Sequence, residues 1–475
     1  MLFNSFDFGF FLIIVYVVYW AIGTKRRNAQ NILLLLASYT FYGLWDWRFL
    51  GLLILSSVID FIAGRAISGT NKKSRQKLYL WVSIFWNLGV LFTFKYFNFF
   101  MESFEELFGI EVTTGYTFWN VAIPLGLSFY TFQTMSYTID VYLKKSKPTK
   151  NLLEFLCFVG FFPQLVAGPI EKARHLLPQF ENKRSFDLQT TREGLRQILW
   201  GLFKKIIVAE KLGIAVTMVF NNPEGYNSIT LVFALVLFCF QIYCDFSGYT
   251  DIAIGTAKLF GFKLNKNFNL PYFARTISEF WLRWHITLTR WFTDYVYIPF
   301  MKISKRITPS TRAFGLLLTF TLVGLWHGAN WTFIILGMLN GMALIIERLP
   351  LFRNKKTLQR KLQSAPWILS GLYVFVIYVL SALLFRADDM EQVSLFLKRI
   401  FSLTMDGAFT TLIGYELFYL VFILIAEIAA RKWDYPLQKL EMKLPRPARW
   451  IVYYTLILLI IRYAEPKEAF IYFQF

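Results

Sequence analysis

Three histidines occur in the sequence, and each sits in a different chemical setting. His327 lies in Gly324-Leu325-Trp326-His327-Gly328-Ala329-Asn330-Trp331, midway along an apolar stretch. An ionisable side chain in apolar sequence is costly and usually faces an interior or a water-filled path. Imidazole accepts a proton near neutral pH, which is the chemistry of a general base. Gly324 and Gly328 flank it at a spacing that lets another backbone or a ligand come close. A histidine simply hydrogen-bonded between helices is the alternative. His285 sits in Trp281-Leu282-Arg283-Trp284-His285, beside Arg290 and Asp294. It reads either as an anchor of an interfacial aromatic helix or as a polar residue lining a cytoplasmic mouth. His175 follows Lys172 and Arg174 in a basic stretch and reads as solvated.

Asp245 lies at the end of an apolar run, in Tyr243-Cys244-Asp245-Phe246-Ser247-Gly248-Tyr249-Thr250-Asp251. A carboxylate there needs a basic partner or backbone donors. Asp251 is placed to cap a following helix. Arg275, Arg283 and Arg290 suit the phosphates of a cytoplasmic nucleotide carrier, and suit lipid headgroups equally. No GxGxxG, Walker, GxSxG or zinc-type histidine pair is present, which argues against redox nucleotide, ATP and serine-elbow chemistry. Cys157, Cys239 and Cys244 have no metal or disulfide spacing and read as small buried side chains. The chain ends Phe470-Ile471-Tyr472-Phe473-Gln474-Phe475. That segment is an aromatic belt at an interface, or a tail that folds back to present the Tyr472 hydroxyl as an acyl acceptor or carrier.

These residues must be held by membrane helices. The chain is 56% hydrophobic and 19% aromatic, with a mean hydropathy of +0.46. Apolar runs near the ~20 residues that cross a bilayer recur along it. They are apolar on every face, so they are helices and not strands of a barrel. The net charge of +20 would suggest nucleic acid in a soluble protein. Here it is carried by loops between apolar runs, as cytoplasmic loops require, and no nucleic-acid partner is expected. The first run, 8–22, lacks a basic leader and a cleavage site and is expected to be a retained span.

The loops alternate in charge. Lys25-Arg26-Arg27 and the cluster from Arg65 to Lys77 are basic. The loop at Asp46 and Arg48 is neutral, and the loop with Glu102, Glu105, Glu106 and Glu111 is acidic. Basic loops lie inside, so the N-terminus is expected outside the cytoplasm. Residues 152–168 have basic flanks on both sides and breakers at Pro163 and Gly168-Pro169, which suggests a re-entrant hairpin. Spans follow near 206–220 and 229–246. The basic, aromatic stretch 258–312 suits helices lying at the interface. Residues 313–346 exceed one span, have basic flanks, and should form a hairpin entered from the cytoplasm with His327 near its deep end. Spans near 367–385, 412–429 and 450–461 then deliver the tail to the outer face. The expectation is an all-α, polytopic membrane protein. It has roughly ten to twelve membrane helices, including re-entrant hairpins, around a central tunnel. It forms one domain over 1–475 with an extracytoplasmic tail at 463–475.

At these residues the sequence resembles the membrane-bound O-acyltransferase family, and within it the bacterial alginate and peptidoglycan O-acetyltransferase branch. The resemblance covers nearly the whole chain. Its most specific stretches are 245–255, Asn267-Phe268-Asn269 with Pro271-Tyr272, Glu279-Phe280-Trp281 to His285, and Leu325-Trp326-His327-Gly328-Ala329-Asn330. The resemblance implies a tunnel open to both faces of the bacterial cytoplasmic (inner) membrane. Acetyl-CoA, or another acyl-CoA, would enter from the cytoplasm as substrate, with no bound cofactor or metal. His327 matches the catalytic histidine, a general base, and His285 matches the family's second histidine. Asp245, Arg283, Arg290, Asp294, Trp326 and Asn330 are expected to line the tunnel or its acyl-CoA side. Leu282 and Thr293 stand where Arg is often found, so the acyl-CoA contacts depart from the family pattern. The tail is similar to a Tyr-containing motif that the D-alanyl branch carries on a small companion protein. That implies a relay from acetyl-CoA to Tyr472 and on to an extracytoplasmic SGNH-type acyltransferase partner or a glycan. D-alanyl transfer to teichoic acid-type acceptors and glycan or lipid transport without acyl chemistry are the alternatives.

Overall fold

The computed structural model describes residues 3–109, 123–166, 168–304, 306–351, 356–403, 405 and 415–463. The protein is helical apart from a two-residue antiparallel ladder, Pro350–Leu351 with Lys356–Thr357. Five helical segments among the described residues are long and apolar enough to cross a bilayer. They are Arg27–Ser68, Lys73–Phe108, Ser228–Leu259, Trp331–Arg348 and Trp367–Arg386, and Phe6–Ala21 is a shorter apolar helix. Large apolar side chains such as Phe10, Ile13, Leu88 and Leu372 point outward, as a lipid-facing surface requires. The chain divides into two compact units.

The first unit is Met1–Ile198 with Ile252–Asn265. It contains α1 (Phe6–Ala21), α2 (Arg27–Ser68), α3 (Lys73–Leu91), α4 (Phe97–Phe108), α5 (Leu127–Tyr142), α6 (Leu152–Gly160), α7 (Phe162–Leu165), α8 (Ala173–Glu181) and most of α9 (Leu188–Leu202). Ser5 starts α1 by accepting from the Phe8 amide, a side-chain N-cap. At 42 residues α2 would run ~63 Å if straight. It is instead two helices joined at Asp46, whose φ is −159° and ψ 109°. The loop expected at Asp46 and Arg48 is thus a single non-helical residue, with the Arg48 guanidinium bonded back to the Asp46 carboxylate. Glu102, Glu105 and Glu106 lie within α4 rather than in a loop, and Glu111 lies outside the described residues. The 152–168 segment breaks at Phe161, between α6 and α7, and its aromatic side chains Phe155, Phe158, Phe161 and Phe162 are fully buried.

The second unit is Leu199–Asp251 with Lys266–Phe475. It contains α10 (Glu210–Asn221), α11 (Ser228–Leu259, through Asp251), α12 (Ile277–Arg283), α13 (Ile286–Phe292), α14 (Ile298–Ile303), α15 (Pro309–His327), α16 (Trp331–Arg348), α17 (Leu358–Ser364), α18 (Trp367–Arg386), α19 (Met390–Phe401), α20 (Tyr415–Ala429), α21 (Leu440–Lys443) and α22 (Arg446–Tyr463). The expected span at 229–246 runs on as α11 to Leu259. Asp245 and Asp251 are therefore interior helical residues, and Asp251 caps nothing. Their charges are met by adjacent lysines: Lys205 pairs with Asp245, and Lys204 lies 2.7 Å from Asp251 and donates to Ser247 at 2.8 Å.

The hairpin at 313–346 is α15 and α16, of 19 and 18 residues. Thr308 and Pro309 start α15, and Asn330 starts α16 by accepting from the Thr332 amide. The two legs touch backbone to backbone. A Cβ on Gly324 would meet the Phe333 carbonyl oxygen at 2.1 Å and the Gly337 amide at 2.9 Å. Only glycine fits there, so the expected close approach is made by the second leg of the same hairpin.

Candidate functional site

His327 is the last residue of α15, at the tip of the hairpin, and is buried. It borders a small apolar cavity of about 40 Å³ whose walls include Ile242, Phe280, Trp281, Trp284, Leu336, Asn340, Tyr378, Ser381 and Phe385. The Phe385 ring meets the imidazole at 5.4 Å, near edge-on. The polar part of the wall is a chain of hydrogen bonds. Trp281 Nε1 donates to Asn340 Oδ1 at 3.2 Å, and Asn340 Nδ2 donates to Ser381 Oγ at 2.9 Å. Ser381 Oγ donates to the Ile377 carbonyl. Tyr378 and Tyr272 both donate to the Cys239 carbonyl inside α11, at 3.2 and 2.7 Å. Its wall is apolar in bulk with a few fixed polar groups.

The aromatic stretch 258–312, expected to suit interfacial helices, has both exposed apolar side chains, such as Leu282 and Ile303, and buried ones. Phe268, Trp281, Trp284, Leu288 and Trp291 are buried. Glu347 near the end of α16 fixes this stretch by accepting from the Ile277 and Ser278 amides at the start of α12. The hairpin leg therefore positions α12, and α12 leads directly to His285. His285 is fully buried and takes a left-handed backbone, φ 40° and ψ 54°, between α12 and α13. The Phe246 ring stands edge-on to it at 4.7 Å. It neither anchors a surface helix nor lines an open mouth. Trp326 joins the two histidines: its ring lies 5.8 Å from His285 and 5.0 Å from His327.

Of the residues singled out in the sequence, His327, Trp326 and His285 thus come together. His327 borders the cavity, whereas Trp326, His285 and the other candidate site residues lie outside its wall. Asp245 faces Lys205. Arg283 holds Glu279 at 2.7 Å, Arg275 donates to the Gln363 carbonyl, Arg290 is exposed and Asp294 is half-buried. Asn330 caps α16 and donates to the Asp388 carbonyl at 2.8 Å. Tyr472 and the rest of the tail beyond Tyr463 lie outside the described residues. His175, expected to be solvated, is only partly so: it sits 2.7 Å from the buried Glu171 carboxylate. That hydrogen bond raises its pKa above the usual imidazole value.

Asn340, Ser381 and Tyr378 were not anticipated, although a signal was present. An amide inside the apolar run after His327, and a hydroxyl inside the run at 367–385, are polar groups that a span retains only with a partner or a task. Among the described residues no three His, Cys, Asp or Glu side chains converge as a metal site.

The family description that matches this chain is the membrane-bound O-acyltransferase family, over residues 34–386. A probable alginate O-acetylase, AlgI, from Azotobacter vinelandii is 37% identical over 397 residues, covering 82% of this chain and 76% of the relative. A peptidoglycan O-acetyltransferase from Helicobacter pylori is 33% identical over 427 residues, covering 84% and 79%. A teichoic acid D-alanyltransferase from Streptococcus thermophilus is 28% identical over 254 residues, covering 51% and 60%.

Proposed function

The chain belongs to the membrane-bound O-acyltransferase family, and from that premise we propose that it moves an acetyl group from cytoplasmic acetyl-CoA to an extracytoplasmic glycan. It is a multi-pass membrane O-acyltransferase with alginate and peptidoglycan O-acetylating relatives. The observation that carries the finer reading is His327, buried at a hairpin tip and bordering the apolar cavity. The imidazole nitrogen on the cavity takes the proton of the acceptor hydroxyl as that oxygen attacks the thioester carbonyl. The carbon–sulfur bond breaks, and the departing thiolate takes the proton back from the imidazolium. His285, in contact with the same Trp326 ring, assists by positioning substrate.

The acceptor hydroxyl is Tyr472 in the relay form of this proposal, with an SGNH-type partner or the glycan taking the acetyl group next. Both termini then face outward from a bacterial inner membrane, residues 1–475 act as one acyltransferase domain, and 463–475 is its outer tail. The weaker, half-length likeness to a D-alanyltransferase ranks D-alanyl transfer second to O-acetylation.

The test is purified protein with labelled acetyl-CoA, read by release of free thiol and by intact mass. Wild type should consume the thioester, and His327→Ala should stop it. Consumption unchanged in His327→Ala would remove the base. An acetyl adduct that persists in Tyr472→Phe would remove the relay. Substrate movement without any thioester cleavage would favour a transporter.

A further inference from the structure

His285 meets Asn267 across a tight backbone junction. The Ile286 amide donates to the Asn267 carbonyl at 2.9 Å, and the Asn269 amide donates to the Arg283 carbonyl at 2.8 Å. Within that junction Asn267 Oδ1 receives three neighbours: the Thr287 amide at 3.2 Å, Thr287 Oγ1 at 2.9 Å and His285 Nδ1 at 3.1 Å. A backbone N–H can only donate, so the atom facing it is the amide oxygen. Turning the amide over would set N–H against N–H. An amide oxygen can only accept, so His285 Nδ1 carries the proton. Neutral imidazole holds one proton, and Nε2 is left with a lone pair. That Nε2 is fully buried and has no hydrogen-bond partner among the described residues.

We propose that Asn267 is a positioning residue that fixes His285 in its Nδ1-protonated form, so that Nε2 is a buried acceptor awaiting an O–H or N–H group carried in by a substrate. The proposal rests on the reading of this region as the acyl-transfer site. It also constrains that reading. A lone pair cannot stabilise the oxyanion of an attacked thioester, so His285 does not serve there. Nor does it take the reacting proton, which His327 receives. Two sources supply the required donor: an amide N–H of the acyl-CoA arm, or a second hydroxyl of the acceptor beside the reacting one.

The tautomer is read first, without any turnover. The three histidines of wild-type protein are labelled with ¹⁵N, and the His285 signals are assigned by their loss in His285→Gln. Couplings to the ring carbon protons tell Nδ1 from Nε2. Protonated Nδ1 is expected, and protonated Nε2 overturns the proposal whether or not the protein transfers acyl groups. Kinetics follow. Asn267→Ala should mix the tautomers and lower kcat ~10–100-fold, the usual cost of losing a partner that orients a working histidine. Asn267→Asp keeps the oxygen and should restore most of the rate with Nδ1 still protonated. Loss of rate in Asn267→Ala with the tautomer unchanged would reduce Asn267 to a structural residue and overturn the proposal. A rise in KM confined to acyl-CoA assigns the donor to that arm, and one confined to the acceptor assigns it to a hydroxyl. Failure of the thioester assay with the tautomer as expected would instead count against the acyl-transfer reading.

Discussion

In the first unit, Asp60 on α2 is fully buried and its carboxylate is used up by neighbours. Ser83 donates to one oxygen at 2.5 Å and Asn87 to the other at 2.8 Å. Thr134 donates to Asn87, and Thr138 shares a bond with Ser83. In the second unit the polar atoms are also few and buried, and Asn340 and Ser381 are likewise bonded to neighbours, but their place in the fold differs. Asn340 and Ser381 sit in the wall of a cavity with His327, and His285 presents Nε2 to no partner among the described residues. Both arrangements meet the cost of polar atoms in apolar surroundings, in different ways. A network that consumes all its valences ties helices together. One that leaves a buried acceptor unmet, as at His285, costs stability unless another molecule completes it.

The comparison can be broken at several points. The largest effect is expected at His327. His327→Ala should lower acyl transfer by ~10²–10⁴-fold, the range for general-base catalysis, with a melting temperature in detergent close to wild type. Loss of rate and of folding together would mean that the histidine is a helix tie like Asp60. Next is Lys205→Ala, which removes the cation paired with the buried Asp245 carboxylate. Removing one partner of a buried pair costs about 3–5 kcal/mol, so thermal unfolding should move sharply lower. An unmoved transition would show that the pair contributes nothing. Asp60→Ala should be milder, about 1–3 kcal/mol for the polar groups it leaves unpaired. Its kcat per folded molecule should match wild type, and a selective fall in kcat would sharpen the contrast in the opposite sense.

The smallest effect is at His175, outside the spans. Its pKa is raised by the hydrogen bond to Glu171. The stabilisation is complete below the unfolded imidazole value of ~6.5 and fades as pH rises through the raised folded value. The pair is partly exposed, so it is worth below ~1 kcal/mol. Wild type should lead His175→Ala in melting temperature at pH 6 and lose that lead by pH 9. A lead that grows with pH would contradict the pairing.

The sequence made His327 legible because an ionisable group in an apolar run stands out against its neighbours. The glycines around it signalled close packing, and the hairpin followed from the flanking charge. The course of α11 was not legible. Asp245 and Asp251 look like the end of a span when read along the chain. Lys204 and Lys205, which cancel them, lie some forty positions earlier. The same distance hid the wall of the cavity, because Asn340 and Ser381 acquire meaning only when α16 and α18 lie side by side. The aromatic neighbours of His285 suit a membrane surface, the edge of an open mouth or a core. Only packing distinguishes them.

The glycine contacts between α15 and α16 have one more consequence. With the Phe333 carbonyl against Gly324 and the Gly337 amide beside it, no side chain lies between the two legs at this level to act as a bearing. The turn that carries His327 cannot slide or rock without opening backbone against backbone. His327 is held in place when the chain folds, so a base at this position would have little orientational entropy left to lose at each turnover. Motion during the cycle must come from what travels to the hairpin.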